Sequence, residues 1–451
     1  MARLNTTEKI TKVTHEGGRA FAHLKPEQQL RRSVLACMLW EKAFYEDGQS
    51  IADRIKETAV KCDPQFVADL AIETRSNMNL RHAPLMLTAV LSQINKGSSL
   101  VPDTIEAVIQ RADELAEFLL IQAEVNGTEP RKFSHGVRKG IARAFNKFDE
   151  YQLAKYNRDG KVRLRDAMFL THAKPSTDRN DLYKRLANNE LVTPDTWEVG
   201  LSGGADKKET FERLLSEGKL GYMAVLRNLR KMNEVGVDHS LIKNAILERK
   251  GARRVLPFRY VAAARAAPMF EPVIDQALLA SLKDSPVMGG KTIVLVDASS
   301  SMTQKLSAKS DMTRVDAAAA LASVLIGQDV RVFLFASEDR HYTNDGQGKL
   351  FWEKPHRLGM AGVDQIKNDI GGGTRLGHAI EQVNAIGGDR LIVISDEQSQ
   401  DDVPAPKFDQ AFMINVATDE NGVGYGSGWT AHMTGFSEAV LCYICEMERA
   451  Q

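Results

Sequence analysis

Five oxygen-bearing side chains in the last third of the chain have the types and spacing for chemistry. The stretch KTIVLVDASSSM, residues 291–302, ends an apolar run at Asp297 and follows it with Ser299 and Ser301 in a DxSxS spacing. In an extended loop alternate side chains point the same way, so one carboxylate and two hydroxyls face one point. Thr374 closes the flexible-looking stretch GGGT, and Asp396 closes the apolar run RLIVISD. All five are hard oxygen donors with no histidine or cysteine among them. That pattern excludes a zinc-type set and fits a divalent cation, Mg²⁺ or Ca²⁺, with Mg²⁺ the first choice. The plainer alternative is that Ser299 and Ser301 cap the next helix and that Asp396 is structural.

Hydrolysis at such an ion needs a base beside a metal-bound water, or two metals about 4 Å apart. Only Asp297 and Asp396 are carboxylates here, and both are needed to hold one ion. Glu397 is adjacent but alternates away if the strand continues. No GxxxxGK or HExxH occurs. The expectation is a protein that is not an enzyme, with an open coordination position that accepts an acidic residue of a protein ligand. The order DxSxS, threonine after glycines, then strand-end aspartate resembles the metal-ion-dependent adhesion site of von Willebrand factor type A domains. In that family such sites recognise proteins.

Strand and helix patterns explain how these residues come together. The runs TIVLVD, VRVFLFA, RLIVISD and AFMINVA alternate with helical patterns over 314–325 and 376–385, and a further one over 438–449 follows the last run. Alternation of this kind means a parallel α/β sheet covered on both faces. Ligands gather at the carboxyl ends of such strands, where Asp297 and Asp396 fall. The front of the chain reads differently. Apolar stripes at helical spacing run over 28–45, 66–71, 85–94, 104–125, 137–145, 220–232 and 241–246, with short turns between them. Pro102 sits near a helix start, with Asp103 and Thr104 placed to cap it. Many short amphipathic helices without strands predict stacked helical pairs, a solenoid-like array of degenerate repeats.

Composition narrows the function classes. With 451 residues, 43% hydrophobic and 26% charged, two or three soluble domains are expected. No apolar run approaches membrane-spanning length, and the first residues carry no apolar core of a signal peptide. Four cysteines, Cys37, Cys62, Cys442 and Cys445, are too few for a disulfide scaffold, so the expectation is a reduced, cytoplasmic protein. The CxxC at 442–445 reads as core cysteine. A net charge of zero hides an asymmetry: from Asp297 onward 13 basic residues face 22 acidic ones, and before it 46 face 37. A front of net +9 suits a polyanion and a back of net −9 repels one.

The densest basic stretch, 131–174, holds twelve Lys or Arg against four acids. On a helix, Lys132, Lys139 and Arg143 form one set and Arg131, His135 and Arg138 an adjoining one, while Val137, Ile141, Ala144 and Phe145 pack inward. Phe133, Tyr151, Tyr156 and Phe169 are interspersed. Cations on phosphates with aromatics on unpaired bases point to nucleic acid, and the lack of a groove-reading helix-turn-helix favours RNA with single-stranded parts over duplex DNA. The bland alternative is a solvated helix face.

Four stretches carry a family resemblance: KYNRDGKVRLRDAMFLTHAKP at 155–175, LRHAP at 80–84, GYMAVLRNLRKMNEVGV at 221–237 and LPFRYVAAARA at 256–266. Together they resemble the TROVE module of the Ro autoantigen family, whose members also place a von Willebrand A domain after it. The compact length is more like a bacterial or phage member. The resemblance implies an all-helical ring of HEAT-like repeats over 1–285, then a Rossmann-like A domain with a parallel sheet over 286–451, acting as a monomer. It implies small structured noncoding RNA of the Y type on the outer surface and single-stranded ends of misfolded RNA in a central hole. It also implies RNA quality control, or an adaptor role toward an exoribonuclease such as polynucleotide phosphorylase. By position, Lys155, Arg158, Arg165, His172 and Lys174 match the family's RNA-contacting stretch, with His172 stacking on a base or merely closing a helix. Arg131, Lys132, His135, Arg138 and Lys139 match a basic helix facing the hole. Asp159 departs from the pattern, since animal relatives are basic near that position. Two rivals stay open: a Mg²⁺-dependent enzyme acting on RNA phosphates, and a protein-interaction module without RNA.

Overall fold

A computed structural model of the chain describes residues 11–13, 19–21, 26–35, 48–252, 255, 257–283, 285, 287–306, 312–337, 350–417, 423, 428–434 and 444. Cys37, the CxxC and the helix expected over 438–449 lie outside the described residues. Cys62 is buried and forms no disulfide, and its thiol donates to the Thr58 carbonyl at 3.3 Å. The chain divides into two compact units, Ala52–Ala245 and Met1–Ile51 with Ile246–Gln451.

The first unit is helical throughout its described length, and its helices begin where polar side chains can satisfy free amides. Asp63 caps Pro64–Ser76 by accepting from Gln65 and Phe66 N–H, Ser134 caps His135–Phe145, and Asp149 with Gln152 forms a capping box on Glu150–Tyr156. Packing proceeds from helix to helix. Pro64–Ser76 lies against His82–Ile94 and Leu100–Val108, and Leu100–Val108 lies against His135–Phe145. Glu114–Asn126 touches His82–Ile94 and Leu164–Thr171. Val137, Ile141, Ala144 and Phe145 are fully buried, as the spacing requires.

The stripe over 104–125 is not one helix. It is Leu100–Val108 and Glu114–Asn126, separated by an extended Ile109. A buried ion pair occupies the break. The Glu114 carboxylate accepts from the Gln110 and Arg111 amides at 2.8 and 3.0 Å and pairs with the Arg75 guanidinium at 2.7 and 2.8 Å. Arg75 also donates to the Val108 carbonyl at 3.0 Å, and so takes an acceptor that a continuous helix would use. The LRHAP stretch braces this corner. The Leu80 carbonyl accepts from Arg75 at 2.9 Å, and Arg81 pairs with Asp113 and Glu117 at 2.8 and 2.5 Å. The cap expected from Asp103 and Thr104 is not made. The helix starts earlier, Thr104 bonds back to the Leu100 carbonyl and Asp103 pairs with Arg143.

The second unit holds a two-stranded antiparallel sheet, Thr11–Val13 with Arg19–Phe21, inside the segment 1–285 that was expected to be all helical. Six further strands lie in the order Phe351–Lys354, Ile326–Phe335, Val287–Asp297, Arg390–Ser395, Gln410–Asn415, Ala431–Thr434. All neighbours are parallel except the edge strand Phe351–Lys354, an antiparallel addition to the parallel sheet expected. Ile293, Leu295, Phe333, Leu391, Val393 and Met413 form one face of the core, against Leu376, Ile380 and Val383 of the helix Leu376–Ile386. All eleven residues of Arg314–Val324 are buried, among them Arg314, Asp316 and Ser323 alongside five alanines. Asp297 ends the central strand, and Asp396 lies one residue past Arg390–Ser395 on the adjoining strand.

Gly140 sets how closely two helices approach. A Cβ there would lie 2.7 Å from Ile105 Cβ and 3.0 Å from Pro102 Cα. Gly140→Ala gains about 1 kcal/mol in helix propensity but overpacks this contact by roughly 1–3 kcal/mol. The expected outcome is a lower urea midpoint; a higher one would mean that the helices can move apart at little cost.

Candidate metal centre and nucleic-acid interface

The strand-end loop after Asp297 is folded by its own side chains. Asp297 Oδ1 accepts from the Ser299 amide at 2.8 Å, and Ser299 Oγ lies 3.0 Å from Ser301 Oγ. Ser395 Oγ donates to Asp297 Oδ2 at 2.6 Å. The glycine stretch is stitched to this loop and is not flexible. Gly371 N–H donates to Ala298 O, Ser300 N–H to Gly372 O and Ser337 N–H to Gly373 O, each at 2.8 Å. Gly372 has φ +79°, and a Cβ there would lie 2.9 Å from the Ser337 carbonyl oxygen, so that position favours glycine. The stitching carries Thr374 to the same edge. Asp297, Ser299, Thr374 and Asp396 are buried and Ser301 is half-buried.

The electrostatics of this edge favour a cation. Burial and the neighbouring Asp396 charge push the Asp297 carboxyl up, to about 7. Thr374 Oγ1 is buried with no hydrogen-bond partner. A hard divalent ion would satisfy the orphaned hydroxyl and offset the paired carboxylates, so the donor set fits such an ion. Among the described residues no three His, Cys, Asp or Glu side chains gather as a metal cluster. One neighbour escaped sequence reasoning. Arg314, the first residue of its helix, donates from Nη1 to Asp396 Oδ2 at 3.1 Å, and both side chains are buried. It stands 82 residues from Asp396, and no local pattern links the two. Two carboxylates and one guanidinium sum to −1, so a bound divalent ion would leave +1 and an attraction for an anion. Glu397 does turn away, but not by strand pleat. Its φ is +61°, and its buried carboxylate pairs with buried His432.

The eleven basic-stretch residues fall into unequal groups. His135, Arg138, Lys139, Arg158, His172 and Lys174 are exposed, as are Arg131 and Lys132. His172 is the helix C-cap at φ 54°, a backbone role that leaves its ring in solvent. Arg143 is largely spoken for, pairing with Asp103 at 2.7 Å and Glu106 at 3.6 Å. Lys147 donates to the Glu106 and Ile109 carbonyls, and Arg163 pairs with Asp159 at 3.1 Å. The usable charge is thus smaller than the net +8 of the stretch, and Asp159 cancels a cation of its own chain. Lys155 is half-buried with its ammonium over the Tyr151 and Tyr156 rings at 5.8 and 5.9 Å. Lys155 and Arg158 line a cleft of about 510 Å³, and Arg131 lines a second of about 470 Å³ with Lys161 and Phe169. Arg165 is half-buried and lines neither.

Residues 184–271 match the TROVE domain family. Two of the four resembling stretches, 221–237 and 256–266, lie inside that match; the basic stretch precedes it. Over 77 residues the chain is 35% identical to Telomerase protein component 1 of Mus musculus and 34% identical to that of Rattus norvegicus. These matches cover 16% of this chain and 3% of each relative, so the chain spans a small part of those proteins. The crystal structure of Deinococcus radiodurans RO (RSR) protein is similar with a TM-score of 0.61 at 14% identity, over 93% of this chain and 99% of that one. The resemblance to the TROVE-bearing Ro family is borne out by the domain match and by this shared fold.

Asp297 must lose its proton before it can ligate an ion. Its folded value of about 7 lies above the ordinary value of about 3.9, so below pH 7 ion binding releases a proton. Divalent-ion affinity, read by Mn²⁺ electron paramagnetic resonance, is expected to rise with pH up to about 7 and then level. In the ion-free protein the same shift makes stability fall as pH rises from about 4 to about 7, because the folded state holds the extra proton there. Asp297→Asn is expected to abolish Mn²⁺ binding, and retained binding would remove Asp297 from the site.

Proposed function

We propose that this protein binds RNA without catalysing its turnover, and that its strand-end site holds Mg²⁺ to engage an acidic group of a protein partner. The observation that carries the reading is the set of exposed cations without ion-pair partners among the described residues: Arg131, Arg138, Lys139, Arg158 and Lys174. Side chains kept in water and left unpaired are available to phosphates. The interspersed aromatics give unpaired bases a surface on which to stack. Under this reading the cognate ligands are a small structured noncoding RNA of the Y type and single-stranded ends of misfolded RNA. The protein serves RNA quality control or tethers an exoribonuclease such as polynucleotide phosphorylase, in the cytoplasm. No helix among the described residues is long and apolar enough to cross a membrane.

At the strand-end site Asp297, Ser299, Ser301, Thr374 and Asp396 would hold the ion, which supplies Lewis acidity and one position for an anionic oxygen. Arg314 orients Asp396 and leaves the loaded site with excess positive charge, which suits a partner carboxylate. Support for recognition over hydrolysis comes from the carboxylates. Asp297 and Asp396 serve the ion, and Glu397 is committed to His432.

RNA recovered with the protein from its own cells under native conditions tests the reading. One dominant small RNA, lost on joint Lys155→Glu and Arg158→Glu substitution, is expected. About six phosphate contacts predict a log–log salt slope near −4 for single strands. RNA degradation in Mg²⁺ that stops on Asp297→Ala would establish the enzyme instead. Absence of RNA, with a protein released by EDTA, would leave the basic stretch a solvated face.

A further inference from the structure

The cleft of about 470 Å³ between the segment before His135–Phe145 and the helix Leu164–Thr171 combines cations with an exposed aromatic ring and a carboxylate. Phe169 projects into it and is 56% exposed, among the largest apolar exposures in its unit. A phenyl ring on a helix surface normally finds cover, so this one presents a free face. Pro130 and Val162 supply apolar wall, and Arg131 and Lys161 supply two exposed cations without ion-pair partners among the described residues. Glu129, whose carboxylate lies 3.8 Å from the Lys132 ammonium, lines the same cleft, and so does Asp166. One of its oxygens accepts the Arg163 amide at 3.0 Å, and the other accepts no bond from the described residues.

We propose that this cleft is a subsite for one unpaired nucleotide of an RNA strand, with the base stacked on Phe169 and its phosphates on Arg131 and Lys161. The inference rests on the RNA-binding reading and adds to it a position and a preference. The volume suits a single base with its sugar, and a base whose faces are already covered in a duplex cannot reach the ring. The polar groups give the nucleotide a direction. A carboxylate repels phosphate, so the phosphates lie toward the cations and the base edge toward Asp166. An ionised carboxylate only accepts hydrogen bonds, and it favours bases with an exocyclic amino group. Adenine, cytosine and guanine carry one, whereas uracil offers only its ring N3–H.

The test uses the full chain and fluorescein-labelled ten-nucleotide homopolymers of A, C and U at one salt concentration, read by fluorescence anisotropy. The wild type is expected to bind the A and C oligomers more tightly than U. Phe169→Ala is expected to weaken A and C binding about tenfold, in line with the loss of one base–aromatic stack, and to compress the preference over U. Phe169→Tyr keeps the ring and is expected to keep both. Exposure of Phe169 makes loss of folding an unsuitable explanation, and a matched thermal melt checks it. RNA binding with unchanged affinities in Phe169→Ala would overturn the subsite and leave the RNA-binding reading standing. No RNA binding by the wild type would overturn both. Displacement of the A oligomer by polyglutamate at equal charge concentration, retained in Phe169→Ala, would assign the cleft to acidic peptide and overturn the nucleotide.

Discussion

Two carboxylates held out of water side by side are the constraint around which the sheet unit is arranged. Asp297 and Asp396 end adjoining parallel strands, so the topology itself forces them together. Like charges at low dielectric raise each other's cost of ionisation, and the fold answers with several devices at once. Ser299 and Ser395 donate to Asp297, Arg314 donates to Asp396, and Asp297 is inclined to keep a proton. The glycine stretch, the loop at 298–300 and Ser337 are tied by backbone hydrogen bonds, which hold the loop after Asp297 in place.

Much of this was legible in the sequence, for a physical reason. Parallel strands buried on both faces must be near-continuous apolar runs, so TIVLVD and RLIVISD announced both their own strands and the aspartates at their ends. Side-chain period in the loop brought Ser299 and Ser301 into line with Asp297. Arg314 was not legible, because its role depends on tertiary distance and its local context is an ordinary helix start. The rigid glycines were also misread. Gly372 is there for positive φ and close approach to the Ser337 backbone, whereas a run of three glycines in isolation reads as slack chain.

The helical unit shows the opposite balance. Periodicity found the buried faces, since Val137, Ile141, Ala144 and Phe145 needed only spacing to be recognised. It failed over 104–125, because an apolar stripe keeps its phase through a short break when residues on both sides face the same core. It also overcounted charge. Arg143, Lys147 and Arg163 are basic by type yet are engaged by Asp103, backbone carbonyls and Asp159. Net charge along a segment counts ions, and only three-dimensional pairing shows which of them solvent or a polyanion can meet.

The break at Ile109 has a geometric reach beyond its own residues. A single helix from 100 to 126 would be about 40 Å long and straight. Such a rod would carry the chain clear of the helices that the two shorter segments now touch. By drawing the Gln110 and Arg111 amides and Arg75 onto one carboxylate, Glu114 converts a line into a corner. This ionic contact therefore sits where the polypeptide changes direction. The chain thus turns at a point that one buried glutamate occupies.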